Sequence, residues 1–428
     1  MKTTRVGGLC LLAGALAARL LWGVEPRRSA GGKSAPDLAL VGCLVYPSPE
    51  EAPIRNGVVV VRQGRVAAVG ARDKVKIPRG ATRVDCAGRP LFAGFWNSHV
   101  HFTQNRWLDA ATVAPAELES HLREMLLRYG YTNVFDTGSY LRLTNVIRRR
   151  INSGEVAGPA ILTAGELIFP KGGGPKPEVF RVLDLIPGEM PEVQTAEEAR
   201  KAVREHVQQG ADGIKLYLVS WFARPMVAMT AEAVAAAVQE GHALGKLVLG
   251  HPTNQQGLEL GLSNGVDIFV HTTPDGPPWD NALIARMKTQ RVAVIPTLKL
   301  WLYETRDRLR EVSEGFAASG VAQLRAYAAA GGQVLFGTDV GYMTDYDPTD
   351  EYVLMARAGM NFRQILASLT TAPSERFADA ARTGRIAAGM DADLVMLSAD
   401  PAGDVKAFAS VRLVVRRGRI VYDASAGH

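Results

Sequence analysis

Between residues 93 and 383 the chain alternates short apolar runs with amphipathic stretches eight times, a pattern that restricts its possible folds more than any other feature. The first run ends at His99-Val100-His101. The others are TNVFDTG (132–138), AILTAG (160–165), GIKLYLV (213–219), KLVLGH (246–251), DIFVHT (267–272), VAVIPT (292–297) and VLFGTD (334–339). Helices are predicted between them over 115–130, 195–210, 230–245 and 280–290, the second opened by a Thr195/Glu198 capping box. Eight strand–helix units predict an α/β fold of the (β/α)8 (TIM) barrel type. A doubly wound sheet is the alternative, but no glycine-rich phosphate fingerprint follows the first strand. The longest gap, Ile168 to Val193, reads as a loop over the barrel mouth.

Outside that region the texture is β-rich. VVRQGRV around Gln63-Gly64 and VVRRGRI around Arg417-Gly418 are two similar hairpin signals near opposite ends of the chain. Hairpins this short need partners, so residues 37–92 and 384–428 are expected to meet in one composite β-sandwich domain beside a barrel of residues 93–383.

The formal charge of +6 is misleading as a sign of nucleic-acid binding. Lys2, Arg5, Arg19, Arg27, Arg28 and Lys33 stand against Glu25 alone in the first 36 residues, so the rest of the chain is nearly neutral. Lys2 and Arg5 precede an apolar run from Val6 to Ala18, and Ala15-Leu16-Ala17 forms a small-x-small cleavage site. Residues 1–24 therefore read as a signal peptide, and the protein as secreted or periplasmic. An uncleaved N-terminal membrane anchor is the alternative, although the run is short for a bilayer span. Residues 25–36 read as a flexible linker. Cys10 belongs to the leader, and Cys43 and Cys86 are expected to be buried thiols rather than a bridge.

The histidines carry the chemical signal. His99 and His101 end the first strand, His251 the fifth and His271 the sixth, while Asp339 ends the eighth. Residues i and i+2 of a strand point to one side, so His99 and His101 can share an ion. The C-terminal face of a barrel is where such sites assemble. The other histidines, His121, His206, His242 and His428, read as surface or capping residues. Lys215, on the fourth strand, would be repelled by metal as an ammonium. Carbamylated by CO2, it becomes an anionic two-oxygen ligand. A lysine that snorkels to solvent is the bland alternative.

His99-x-His101, Lys215, His251, His271 and Asp339, in that order and on those strands, resemble the amidohydrolase superfamily in its binuclear, carboxylated-lysine subtype. GYTNVFDTG, GADGIKLY, GVDIFVHTTP, GTDVG and the closing GRIAAGMDADLVMLSADP extend the likeness, the last resembling the imidazolonepropionase-like and prolidase-like branches. Ala93-Gly94 stands where Pro-Gly is usual, and Asn97 where Asp is common. The resemblance implies a metal-dependent amidohydrolase with two divalent ions, zinc by default. His99, His101 and Asp339 would hold one ion and His251 and His271 the other, with carboxylated Lys215 and a hydroxide between them. Asp339 would be the catalytic residue, passing a proton from the attacking hydroxide to the leaving nitrogen. A small amide or peptide-like substrate, such as a dipeptide or N-acyl amino acid, is expected to meet Tyr217, Ser220, Lys299 and Tyr342, with Lys171 or Arg224 from loops. Self-association into a homo-oligomer is left open. Two other readings compete. One is a mononuclear deaminase-type enzyme, which would use a glutamate near strand five that LGHPTN lacks; the other is a catalytically inactive secreted barrel protein.

Overall fold

The protein is described here from a computed structural model covering residues 37–426. The leader and linker readings (1–24 and 25–36), with Cys10 and His428, lie outside the described residues.

The barrel strands are β1 (Phe95–Val100), β2 (Tyr131–Asp136), β3 (Ala160–Thr163), β4 (Gly213–Tyr217), β5 (Leu247–His251), β6 (Ile268–Val270), β7 (Ala293–Ile295) and β8 (Gln333–Val334). Every residue of β1, β2, β4, β6 and β7 is buried, as parallel strands covered on both faces require. β1 to β3 form one parallel arc and β4 to β8 another. Ser98 N donates to Phe336 O at 2.7 Å and His101 N to Val340 O at 2.8 Å at one seam. At the other, Asp212 N donates to Thr163 O at 2.6 Å. The chain is thus a (β/α)8 barrel. β8 is shorter than its apolar run because the backbone leaves regular pairing to lie close along β1. A Cβ on Gly337 would sit 2.4 Å from Ile295 Cγ2 and 2.7 Å from His99 Cβ.

The helices between the strands start where their caps direct. Thr195 and Glu198 form the reciprocal capping box at the head of Ala196–Gln208, whose Ala199, Ala202, Val203 and His206 face inward at helical spacing. Thr230, Asn254 and Asp280 each accept from a backbone N–H at the start of the helix that follows. The segment from 168 to 193 is more ordered than a plain loop. It contains the helix Pro177–Val182 and a short pairing of Phe169–Pro170 with Glu192–Val193.

Both chain ends build one eight-stranded sheet. Its order is Arg419–Asp423, Val411–Arg416, Leu394–Leu397, Pro90–Ala93, Leu38–Val45, Ile54–Arg62, Arg65–Ala71, with Thr82–Asp85 pairing Leu38–Val45. Gln63-Gly64 and Arg417-Gly418 both adopt left-handed conformations, the signature of two-residue hairpin turns. The two turns meet over Ala392, whose N–H donates to Gly64 O and whose carbonyl accepts from Gly418 N.

Cys43 and Cys86 are buried as expected but form a disulfide, which corrects the reading of two free thiols. Thr82–Asp85 runs parallel to Leu38–Val45 in direct register, and that pairing brings the two cysteines to a Cα–Cα distance of 4.9 Å. Among the described residues no helix is long and apolar enough to cross a membrane.

Candidate active site

Five of the barrel strands, β1, β4, β5, β6 and β8, carry or lead into the residues that build the site. His99 lies on β1 and His101 just beyond it, Asp339 follows β8, and all three are buried. His99 Nε2 and His101 Nε2 lie 3.0 Å apart, and each faces Asp339 Oδ1, at 3.2 and 3.0 Å. His101 Nδ1 donates to Gly138 O at 2.6 Å, which leaves a lone pair on Nε2. An imidazole lone pair and an anionic oxygen at such separations repel one another unless a proton or cation lies among them. The group therefore fits a divalent ion: its ligand atoms all lie within 4.8 Å of one another.

The remaining predicted ligands surround this group. His271, following β6, brings Nε2 to 4.0 Å from Asp339 Oδ2, while its Nδ1 shares a 2.5 Å hydrogen bond with Thr297 Oγ1. The His251 ring, at the end of β5, lies 4.5 Å from the His271 ring and stacks on Tyr217 at 4.0 Å. Lys215, on β4, is 1% exposed and lines the same cavity as the four imidazoles. The structure thus brings all six residues to one cavity, with His99, His101 and Asp339 in direct contact.

Burial sets the protonation of the site. It pushes His99 down to about 3 against the opposing pull of Asp339. His251 and His271 lie well below the usual histidine range, chiefly through burial, with repulsion from Lys215 and from His251 respectively adding to it. Burial also lowers Lys215 to about 7, with Asp339 opposing. For Asp339 burial works in the other direction, but His99 and His101 outweigh it and hold the carboxyl well below its ordinary value. His99, His251 and His271 are therefore neutral and the Asp339 carboxyl ionised near neutral pH, the states that bind metal.

The supporting contacts explain how these groups are held. Asn97 Oδ1 accepts from His99 N at 3.1 Å and Thr338 N at 3.2 Å, and its amide donates to Thr338 Oγ1 at 2.6 Å. The amide thus clamps β1 to the segment bearing Asp339, although an aspartate is common there in the resembling family. Asp136, passed over in the sequence, accepts from Gly138 N, Ser139 Oγ, Thr144 Oγ1 and Thr163 Oγ1. It fixes the turn whose Gly138 carbonyl orients His101. A signal was available in its placement at a strand end before Thr-Gly-Ser. His271, Thr297 and Asp339 all take positive φ, at 80°, 44° and 62°, so the strand ends hold conformations that non-glycine residues rarely adopt.

The substrate-facing candidates divide. Tyr217 and Tyr342 line the cavity, and the Tyr342 hydroxyl donates to Glu304 Oε1 at 2.7 Å. Ser220 and Lys299 do not line it. Ser220 is fully buried and donates to Gly173 O at 2.5 Å. Lys299 bonds to Asp345 Oδ2 at 2.7 Å and Asp347 O at 2.5 Å. Its helix, Leu298–Glu304, presents Leu300, Trp301 and Glu304 to the cavity instead. Arg224 is exposed and donates to Trp221 O, and Lys171 is exposed. The cavity measures about 310 Å³, and most of its wall residues, including Phe180, Trp221 and Trp301, were not singled out in the sequence.

A closed (β/α)8 barrel with imidazoles and a carboxylate at the C-terminal ends of its strands, opening into a cavity, is the architecture of a barrel enzyme. The amidohydrolase family model matches residues 91–421, and the chain belongs to that family. The ochratoxinase of Aspergillus niger is 25% identical over 411 residues, covering 87% of this chain and 83% of that one. A provisionally assigned prolidase from Bifidobacterium longum superposes with a TM-score of 0.76 at 26% identity, covering 92% of this chain and 96% of that one. A Xaa-Pro dipeptidase solved with bound methionine shares the fold at a TM-score of 0.76 and 21% identity, covering 91% of this chain and 100% of that one. The protein is a hydrolase acting on carbon–nitrogen bonds of the amide or peptide-like kind.

Proposed function

We propose that this site hydrolyses the amide bond of a small substrate with two divalent cations, zinc by default. His99, His101 and Asp339 would hold one and His251 and His271 the other, with a carboxylated Lys215 between them. The observation that carries the reading is the meeting of His99 Nε2, His101 Nε2 and Asp339 Oδ1 within 3.2 Å. Cations bound there would acidify water and polarise the scissile carbonyl.

The protein's own groups have distinct tasks. Asp339, kept ionised by its imidazole neighbours, is placed to take a proton from the attacking water and deliver it to the departing nitrogen. Gly138 O and Thr297 Oγ1 fix the rings of His101 and His271, and Tyr217 backs His251. Lys215, lowered to about 7 by burial, has neutral amine available near neutral pH. That amine nitrogen can bond to the carbon of CO2 and release a proton, leaving a carbamate whose two oxygens replace an ammonium that would oppose cation binding.

Secretion or periplasmic export is proposed from the leader, and the Cys43–Cys86 bridge supports an oxidising compartment. Membrane association would follow only from an uncleaved leader.

The test is amine release from a panel of N-acyl amides and dipeptides by zinc-loaded protein. The expected result is turnover that chelation abolishes and zinc restores. Turnover untouched by complete metal removal, or none across the panel, would contradict the proposal.

A further inference from the structure

The cavity wall contrasts with its floor in charge. Phe180 and Ile186 from the 168–193 segment, Trp221 and Phe222 after β4, and Trp301 and Phe316 after β7 form an apolar enclosure. Among the described residues Lys215 is the one lysine or arginine lining the cavity, and it lies on the floor with the imidazoles. The charged groups of the wall are acidic: Asp275 and Glu304. The cations of the surrounding segments, Lys299, Arg224 and Arg306, do not line the cavity. Lys299 is tied to Asp345 and Asp347, Arg224 to Trp221 O, and Arg306 lies over the Tyr303 ring and donates to Tyr303 O.

We infer that the site selects amides whose leaving amine carries no carboxylate: neutral or cationic amines with an aromatic or branched apolar body, rather than dipeptides or N-acyl amino acids. The inference rests on the amide-hydrolysis reading above and names its substrate class. A carboxylate pressed against these walls would lose its hydration and gain no ammonium or guanidinium in return. It would also face the carboxyl oxygens of Glu304 and Asp275, groups that burial makes harder to ionise and that offer an anion no positive charge. Aromatic rings bury large area against Trp and Phe walls, so an apolar amine gains where the acid loses. The bond broken is the amide C–N: the water oxygen bonds to the carbonyl carbon, and the nitrogen leaves protonated as the amine. Glu304, whose carboxylate accepts from the Tyr342 hydroxyl at 2.7 Å, is the wall group that sets this preference.

The experiment compares N-benzoyl-L-phenylalanine with N-benzoyl-2-phenylethylamine, which differ only in the carboxylate, on the zinc-loaded full chain. The expected kcat/KM favours the phenylethylamide by about tenfold or more, and Glu304→Gln narrows the gap while Glu304→Arg reverses it. Equal or better turnover of the acid by the wild type overturns the inference while leaving the amidase reading intact. If neither compound releases amine, the amidase reading fails for this pair, and calorimetric binding decides the inference. Tighter binding of the phenylethylamide supports it, and equal or tighter binding of the acid overturns it.

Discussion

The floor and the wall of the cavity are built by different means. The floor consists of residues on or just beyond strands, clamped by Asn97, Gly138, Asp136 and Thr297, and its groups are buried except His251, which is half-buried. The wall comes from the 168–193 segment and from the connections after β4, β6 and β7, and it is mostly apolar. Strand ends are rigid and place atoms to fractions of an ångström, which suits bond making and breaking. Loops and short helices offer area and shape, which suits selection. Floor substitutions should therefore lower kcat, and wall substitutions should chiefly move KM.

The largest effect is expected from Asp339→Asn, which keeps the shape of the carboxyl but removes its capacity to take a proton. A fall in kcat of about a thousandfold is predicted, and turnover near wild type with metals bound would remove Asp339 from its role. Next comes Gly337→Ala, whose Cβ would meet Ile295 Cγ2 at 2.4 Å and His99 Cβ at 2.7 Å. Displacing His99 by this contact should cost about a hundredfold in kcat/KM, with far-ultraviolet circular dichroism unchanged. Trp301→Ala tests the wall: KM should rise about tenfold through lost apolar contact, and kcat should change little. The smallest effect is on stability in acid. Burial holds His99 below the ordinary histidine value of 6.5, as it does His251 and His271. The unfolded chain therefore takes up protons first as pH falls. The histidine contribution to stability is complete above about 6.5 and declines below it, so the melting temperature of metal-free protein should drop on acidification through that range. A melting temperature that rises there would contradict the burial argument.

Legibility in the sequence follows the same division. The barrel was readable because eight apolar runs alternated with capped amphipathic stretches, and Thr195 with Glu198 announced its helix in four letters. His99, His101, His251, His271 and Asp339 could be singled out because position at a strand end implies a place at the barrel mouth. Lys299 misled because a place two residues past the apolar run ending at Thr297 does not specify which side of the ensuing helix faces the cavity. Helix phase turns it toward Asp345, with Trp301 and Glu304 facing the cavity. Cys43 and Cys86 were not recognised as a pair because 43 residues separate them and only the parallel register of their strands brings them together. Asp136 was missed because nothing local shows that four donors converge on one buried carboxylate.

The central claim is that the floor holds two cations through six residues, one of them a modified lysine. Metal content per chain by mass spectrometry of elements, with intact mass measured under non-denaturing conditions, tests it most directly. Two divalent ions per chain and the added mass of one CO2 are expected, lost in Lys215→Met together with at least one of the ions. One ion or none, on a chain with unmodified Lys215, would contradict it.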